Sequence, residues 1–527
     1  MFNKISLYFY TIISLKPSQV YFRILKKLGI RIPLGVSVST NYSNVQTIQT
    51  PVELDFDRVF VERFPVEELM KNRITLLHST KEVDWLGDWK FSDKSDLWNF
   101  NLHYFEFIFP LVKSYLDTDR KEYLNKTVEI IDGWITSNPI GKGVAWSSYT
   151  ISLRIVNWLS YYSYVHSELN EDFKKRFLIS LHCQYEYLSK HLEKDILGNH
   201  YFENLKSIIL ASLFFEDDRV FSHVLNLFLK ECKEQILPDG MHFELSPMYH
   251  KIIFEGVLRV ALALKCSNRR NHQLEQYLQA MLNVAYSFED GLDRIPLFND
   301  GGNNIAKSLE SLVCASKKYF SILPQFCNKL DSSGYYFFAK IMDNHQWKLI
   351  VDAGQPGPKY IPGHAHCDAM SFELFRDGKP VIGNCGTYAY QSSERSFFRS
   401  TSSHNTIMLD GAEQSQCWSA FRLAKRASVK LLDLSDDSIE ILLIDAYGKS
   451  CVRRISFIDN VLEIVDKSED CVIDSYVHCV APTIRVQSEA QMQEFDHLYA
   501  YDYGLLERLK CMKYTGNSIV KYSIVLE

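Results

Sequence analysis

Residues 363–374, GHAHCDAMSFEL, carry two histidines and an aspartate at alternate positions. In an extended segment alternate side chains share one face, so His364, His366 and Asp368 are expected to project together. Three ionisable groups on one face favour a metal or proton-transfer site over a hydrophobic core. The alternative is that these residues form an exposed polar face of a strand, with no role in metal binding or proton transfer. A second polar cluster at 402–406, SSHNT, precedes an apolar run and favours the site.

The chain as a whole has two different patterns, and this stretch lies in the second. From about residue 60 to 330, apolar residues recur at helical spacing, several segments are apolar on two faces, and short polar breaks separate them, which favours a double-layered ring of helices. Beyond about 335, short β-branched and aromatic segments alternate with tight turns, which favours antiparallel sheets packed as a sandwich. The sequence predicts a multidomain α+β protein with an N-terminal amphipathic or extended segment at 1–60, a helical domain at 61–332 and a β-sandwich at 333–527.

Net charge, cysteine spacing and missing motifs argue against several classes of function. The chain of 527 residues has a net charge of -6, whereas a nucleic-acid-binding protein normally shows a basic excess. Its 12 cysteines form no CxxC pair, which argues against a zinc ribbon or a thioredoxin-type motif, and their apolar surroundings indicate reduced thiols in a reducing compartment. Serine-hydrolase, Walker, HExxH and dinucleotide-binding motifs are absent from the sequence.

The N-terminus allows two interpretations. The apolar run at 5–15 is too short to span a bilayer and is followed by no small-x-small cleavage site. Its basic continuation, through Arg23, Lys26, Lys27 and Arg31, could rest on an anionic membrane surface. A helix packed on the body of the protein is the alternative. We expect a cytoplasmic protein that contacts the membrane peripherally, with the periplasm as the other possibility.

Polar residues also mark the helix entrances. Asn199 is a plausible N-cap, and a helix N-terminus is expected to keep His200 neutral. Tyr249, placed between Pro247 and His250 at the start of a helix, is expected to turn its hydroxyl to a cleft. The loop 298–303, FNDGGN, has the glycines needed for close approach of the backbone.

Seven motifs in a fixed order resemble those of the heparinase II/III-like polysaccharide lyase superfamily. They are NLHY at 101–104, RIVNW at 154–158, GNH at 198–200, ELSPMY at 244–249, GHAHCD at 363–368, GTYAY at 386–390 and HNT at 404–406. The resemblance covers most of the chain. It implies an incomplete (α/α) toroid followed by an antiparallel β-sandwich, with the active site in the groove between them.

The resemblance also implies a chemistry, β-elimination at a uronic acid. Asn199, His200 and His364 match the positions that neutralise the substrate carboxylate, which makes the C5 proton more acidic. Tyr249 matches the tyrosine that takes the C5 proton, returns one to the leaving oxygen, or does both, and Tyr390 is a candidate second groove tyrosine. The candidate substrate-binding residues are His103, Arg154, Glu244 and Asn299.

A structural zinc ion is a further implication. The matching positions are His366, Asn384 and His404. Because an amide oxygen is a weaker zinc ligand than a carboxylate, Asp368 is considered as a substitute ligand.

We therefore expect a lyase that cleaves an acidic bacterial polysaccharide or oligosaccharide of capsule or exopolysaccharide metabolism. A uronate C5-epimerase shares the proton abstraction and is one alternative. A non-catalytic glycan-binding or assembly protein on a lyase scaffold is the other.

Overall fold

The order of secondary structure is helices first and strands second, as the sequence predicts. The computed structural model describes residues 4–31, 33–39, 44–87, 89–481 and 485–526. The last long helix ends at Phe320 and the first strand of the large sheet begins at Lys329, close to the predicted boundary at 332.

Two short helices at the N-terminus, α1 (Lys4–Ser14) and α2 (Pro17–Lys27), connect the two parts of the molecule. On the β side, Trp418 donates from Nε1 to the Thr11 hydroxyl at 3.0 Å. On the helical side, Gln19 donates from Nε2 to the Ile196 carbonyl at 2.9 Å. Among the residues described, no helix combines the length and apolarity that crossing a membrane requires.

The helical part contains a small hairpin and a long series of helices. Its elements are α3 (Val52–Asp55), α4 (Arg58–Arg63), α5 (Val66–Met70), β1 (Arg73–Leu76), β2 (Ser79–Glu82), α6 (Asp96–Leu102), α7 (Phe109–Thr118), α8 (Lys121–Ser137), α9 (Ser148–Val165), α10 (Glu171–Lys190), α11 (Gly198–Phe214), α12 (Asp218–Gln235), α13 (Pro247–Cys266), α14 (His272–Glu289) and α15 (Leu309–Phe320). Helix α6 does not continue into α7, because Phe105 has φ 68° and Pro110 lies in the first turn of α7.

Alternate helices form two layers. The helices α7, α9, α11 and α13 contact one another in series, while α8 packs against α10 on the outside. The inner helix α11 is buried along almost its whole length, whereas α12 buries one face only. Helices apolar on two faces therefore lie inside and amphipathic ones outside, as the sequence pattern predicts.

The β part is antiparallel throughout its large sheet. Its elements are β3 (Lys329–Leu330), β4 (Tyr335–Met342), β5 (His345–Asp352), β6 (Phe372–Arg376), β7 (Lys379–Ile382), α16 (Arg395–Phe398), β8 (Ile407–Leu409), β9 (Cys417–Trp418), β10 (Arg422–Leu423), β11 (Ser428–Leu434), β12 (Ser438–Ile444), β13 (Ser450–Ile458), β14 (Val461–Cys479), β15 (Arg485–Ser488), β16 (Gln491–Tyr499) and β17 (Glu507–Val525). Strands β9 and β10 form a separate two-stranded sheet.

The large sheet curls so that its two ends share one core. Strands β3 to β7 join β11 to β14 through a single residue pair, Ile382 with Cys479. Phe372 of β6 and Ile439 of β12, which lie far apart along the hydrogen-bonded path, belong to the same buried cluster. Two layers of antiparallel strands thus face each other across a common core, which is the predicted sandwich arrangement.

Candidate active site

A cavity of about 1370 Å³ lies between the helical and β parts. All five residues predicted to be catalytic line it, namely Asn199, His200, Tyr249, His364 and Tyr390. The first three come from the starts of α11 and α13, and the last two from loops that flank β6 and β7. Helices α1 and α2 also contribute to its wall. The structure therefore brings together, in one concave site, residues that are far apart in sequence.

Asp300, in the loop between α14 and α15, organises the β side of the site. Its carboxylate accepts from His364 Nδ1 and His366 Nε2, each at 2.8 Å, and pairs with the Arg395 guanidinium. Burial alone would raise the pKa of Asp300, but Arg395 and the two histidines hold it well below its usual range. An ionised carboxylate from the helical part therefore fixes both imidazoles of the β part.

His364 lies directly against Tyr249. Their ring centroids are 4.0 Å apart, and the His364 side chain is only slightly exposed. Because a carboxylate can only accept, Nδ1 carries the proton that bonds Asp300, and Nε2 is left to face the site. Nε2 is 3.6 Å from Glu244 Oε2, beyond ordinary hydrogen-bond distance.

Three tyrosine hydroxyls form a chain in the cavity. The Tyr249 and Tyr390 hydroxyls are 2.6 Å apart, and the Tyr390 and Tyr503 hydroxyls are 2.5 Å apart. Burial, together with Tyr503 and Asp300, raises the pKa of Tyr249 well above its ordinary value. Tyr249 is therefore a neutral phenol in the free protein, suited to donating a proton.

The start of α13 explains how Tyr249 is placed. Ser246 is the N-cap of this helix, and its hydroxyl accepts from the Tyr249 backbone N–H at 3.2 Å. The same hydroxyl donates to the Asp300 carbonyl at 2.6 Å. A single serine thus ties the helix that carries Tyr249 to the loop that orients His364.

His200 forms an ion pair on the opposite side of the cavity. Its Nδ1 is 3.0 Å from Glu193 Oε1, and its ring lies 4.6 Å from the ring of Tyr149. Burial lowers the pKa of His200, but Glu193 outweighs burial and the net pKa is raised. The expectation that the helix N-terminus keeps His200 neutral is therefore wrong, because a carboxylate beside the ring overrides the helix dipole.

Asn199 and Glu244 lie next to His200. The helix begins at Gly198 after an N-cap at Leu197, so Asn199 is inside the first turn and is not the predicted N-cap. Its backbone N–H donates to Glu244 Oε1 at 3.3 Å. Gly198 has φ +56°, and a Cβ there would lie 2.7 Å from the same carboxylate oxygen. Glu244 therefore holds the Asn199 backbone from outside the cavity. The predicted contact between Glu244 and the substrate is corrected.

Two further predicted substrate contacts, Arg154 and His103, lie in the helical core. The Arg154 guanidinium donates to the Gln184 side chain and to the His103 and Ala145 carbonyls. His103 accepts from Trp134 Nε1 at 3.0 Å, and burial lowers its pKa to about 3. Neither residue reaches the cavity. Both predictions are corrected, because both side chains are buried in the helical core and cannot contact a substrate in the cavity.

Asn299 and Asp368 hold the loop behind the histidines. The Asn299 backbone N–H donates to Asp368 Oδ2 at 2.8 Å, and Asn299 Oδ1 accepts from the His366 N–H at 3.2 Å. The predicted substrate contact of Asn299 is therefore corrected. The residues before Phe372 do not form a strand, so His364 and His366 meet at Asp300 while Asp368 turns away.

Two of the three predicted zinc positions converge. His366 Nδ1 and His404 Nε2 are 3.1 Å apart, and the other nitrogen of each ring bonds Asp300 or the Ser400 carbonyl. The third position does not fit, because the Asn384 amide oxygen already accepts from the Asn405 N–H at 3.0 Å. Asp368 is held by Asn299. Two imidazoles without a charged third ligand form a weak zinc site, so zinc here stays a prediction.

Sequence reasoning missed three residues that shape the site: Glu193, Asp300 and Tyr503. Asp300 lies in the glycine-rich loop that the sequence marks for close backbone approach, which was the available signal. Glu193 and Tyr503 carry no motif, and only the tertiary fold brings them to His200 and Tyr390.

Comparisons with known proteins follow the same division of the chain. Residues 37–326 match the family model described as heparinase II/III N-terminus, and residues 326–501 match the one described as heparinase II/III-like, C-terminal. A heparin-sulfate lyase of Pedobacter heparinus is 27% identical over 368 residues, which are 63% of this chain and 54% of that protein. A heparin-sulfate lyase of Bacteroides thetaiotaomicron is 22% identical over 459 residues, 76% and 63% respectively. The chain thus spans between about half and two thirds of these curated relatives.

Solved structures share the fold. The crystal structure of heparinase III matches with a TM-score of 0.67 at 17% identity, over 97% of this chain and 92% of that one. A chondroitin AC lyase of Streptomyces coelicolor A3, in complex with chondroitin sulphate, has a TM-score of 0.51 at 9% identity, over 93% and 81%. Likeness at these identities concerns the architecture alone.

Proposed function

Because the chain belongs to the heparinase II/III-like family, we propose that it is a polysaccharide lyase that cleaves a uronate-containing acidic glycan by β-elimination. One observation carries the proposal: Asn199, His200, Tyr249, His364 and Tyr390 converge in one cavity between the two parts of the molecule. The lyases that resemble this chain support the reaction class.

The cavity wall carries both acidic and basic side chains, and three of the basic ones are placed to contact an acidic polymer. Helix α2 contributes Arg23 and Lys27 to the wall, and Arg422 lies on the β side. Cationic side chains at the mouth of a cleft attract a polyanion and raise its local concentration.

His200 and Asn199 neutralise the substrate carboxylate in this proposal. The raised pKa of His200 favours an imidazolium, which can donate to that carboxylate. Asn199 lines the cavity, and its side-chain Nδ2 is the group that can donate to the same carboxylate. Neutralising the carboxylate stabilises the enolate-like intermediate that follows loss of the C5 proton.

Tyr249 and His364 divide the proton transfer, and this role replaces the carboxylate contact that the resemblance implies for His364, because its Nδ1 proton is held by Asp300. His364 Nε2, with Nδ1 held by Asp300, takes the C5 proton. The electron pair of the broken C–H bond forms the C4–C5 double bond, and the C4–O bond breaks. Tyr249, kept protonated by burial, gives its proton to the leaving glycosidic oxygen. Acid–base catalysis of this kind contributes about 10²- to 10⁴-fold.

We further propose that the substrate belongs to bacterial capsule or exopolysaccharide metabolism and that the protein works in the cytoplasm beside the membrane. Helix α1 exposes Phe9, Ile12 and Ile13, each more than half exposed, and α2 exposes Ile24 next to basic residues. An apolar face bordered by cations suits an anionic lipid surface.

Co-sedimentation of the protein with phosphatidylserine vesicles tests the membrane contact. The wild type should co-sediment, and the double variant Phe9→Ser/Ile13→Ser should not. Unchanged sedimentation of the variant would contradict the membrane contact.

The activity is tested by incubating the protein with a panel of uronate polymers. A lyase produces unsaturated uronate, seen as ultraviolet absorbance, together with shorter chains. An epimerase would change the sugar configuration, seen by NMR, without scission. Absence of both products from every acidic glycan would contradict the proposal.

A further inference from the structure

A second cluster of metal-ligating side chains lies in the β part, away from the catalytic residues. Its members are Cys385, just after β7, His478, near the end of β14, and His497 of β16. The ligand atoms of all three lie within 4.8 Å of one another, which is true of no other group of three such residues in the described ranges. The acid–base mechanism uses none of them.

His478 is oriented as a metal ligand would be. Asn405 Oδ1 accepts from the His478 backbone N–H at 2.8 Å and lies 3.0 Å from its Nδ1. The amide cannot be reversed, because Asn405 Nδ2 donates to the Phe372 carbonyl at 2.8 Å. With the His478 proton on Nδ1, where it bonds Asn405, the lone pair of Nε2 points into the cluster. Metal-binding histidines are typically held in this way by a second hydrogen bond.

The atoms around His478 Nε2 include a nitrogen and an oxygen that carry lone pairs. His478 Nε2 lies 3.0 Å from His497 Nδ1 and 2.9 Å from the Ser402 carbonyl oxygen. A hydrogen bond from a protonated His497 Nδ1 to His478 Nε2 would also account for the short distance between the rings. Cobalt substitution distinguishes this hydrogen bond from a bound metal ion.

We propose that Cys385, His478 and His497 bind one zinc ion. A thiolate and two imidazoles form a common zinc ligand set, with bonds of about 2.3 Å to sulfur and 2.0–2.1 Å to nitrogen. Those bonds place two nitrogens roughly 3.3 Å apart in tetrahedral geometry, so the observed 3.0 Å requires only a small movement. The buried Cys385 thiol releases its proton to solvent on binding, and a water molecule fills the fourth position.

The ion would stabilise the position of the loop that carries Tyr390. The Cys385 N–H donates to the Ser403 carbonyl, and its own carbonyl accepts from Ala500 at 2.8 Å. Zinc would add a bond between this loop and strands β14 and β16. Its role is structural, and the inference stands whether or not the protein is a lyase.

Cobalt substitution tests the site, because a thiolate bound to Co²⁺ gives a near-ultraviolet charge-transfer band. The purified full chain loaded with Co²⁺ should show that band, and Cys385→Ser should abolish it. Cys232→Ser, which changes an equally buried cysteine of α12, is the matched control and should keep it. The histidine pair at 366 and 404 contains no sulfur and cannot give this band.

A second variant guards against misfolding. His497 is only partly buried, so His497→Ala should keep the far-ultraviolet circular dichroism of the wild type while losing one equivalent of zinc by mass spectrometry. Absence of the band from the wild-type protein, or a folded His497→Ala with undiminished zinc content, would overturn the proposal.

Discussion

The ion pair between Glu193 and His200 sets the charge of the imidazole in the candidate site. Burial works against the imidazolium, and the carboxylate 3.0 Å away is the largest of the contributions that reverse the balance. A raised pKa means that the charged form persists to higher pH than in an unpaired histidine. The catalytically useful state of His200 is therefore lost as pH rises through this pKa.

Glu193→Gln should move the alkaline limb of the kcat/KM profile to lower pH. With the carboxylate gone, burial dominates and lowers the pKa of His200, so the imidazolium disappears earlier. Activity at neutral pH should fall about 100-fold, the usual cost of one lost charge-stabilising donor. Glu168→Gln, which removes a carboxylate from an exposed pair with Lys121, should leave the profile unchanged.

An unmoved alkaline limb in Glu193→Gln would contradict this account of His200. A matching loss of activity without any change in the pH profile would indicate a merely structural role for Glu193.

Individual residues of the candidate site could be predicted where a short motif carried them. Tyr249, His200 and His364 stand in such motifs, and all line the cavity. The partners that tune them were not predictable, since Asp300 is 64 residues from His364 and Glu193 has no distinctive neighbours. Arg154 shows the opposite error: its motif was recognised, but burial within the helical core could not be inferred from it.

At the scale of elements, the turn after β7 controls where Tyr390 lies. Gly386 has φ +77°, and a Cβ there would lie 2.0 Å from the Ala500 carbonyl oxygen. Neither the backbone conformation nor the close approach tolerates a side chain.

Gly386→Ala should displace the 387–390 loop and lower kcat at least tenfold, since small errors in the position of reacting groups are costly. Unfolding in urea should show a loss of more than about 1–2 kcal/mol, the cost of the backbone conformation alone. Gly411→Ala is the matched control: φ is +70° but no atom lies within 4 Å of the added Cβ. Equal effects of the two substitutions would contradict the clash with Ala500.

The length of individual strands could not be predicted from alternation alone. In the long strand β14 the pairing with β17 is irregular between Lys467 and Val472, and the charged residues there interrupt the apolar alternation. Strand β16 shows little alternation because its exposed face is largely polar.

At the scale of the molecule, the site exists only where the helical and β parts meet. Asp300 comes from the helical part and fixes His364, while Tyr249 of the helical part contacts Tyr390 of the β part. The two-part architecture was predictable from the change of periodicity near residue 335. The contacts between side chains of the two parts were not predictable, because these contacts depend on how the two parts pack against each other.

The most direct test measures unsaturated uronate released from an acidic glycan by the wild type and by Tyr249→Phe. The wild type should produce it, and the variant should lose about 10²- to 10⁴-fold in kcat, because phenylalanine keeps the ring against His364 but has no proton to give. Tyr161→Phe, which removes a buried hydroxyl bonded to Thr127 outside the cavity, should retain activity. Wild-type turnover by Tyr249→Phe would contradict the central claim.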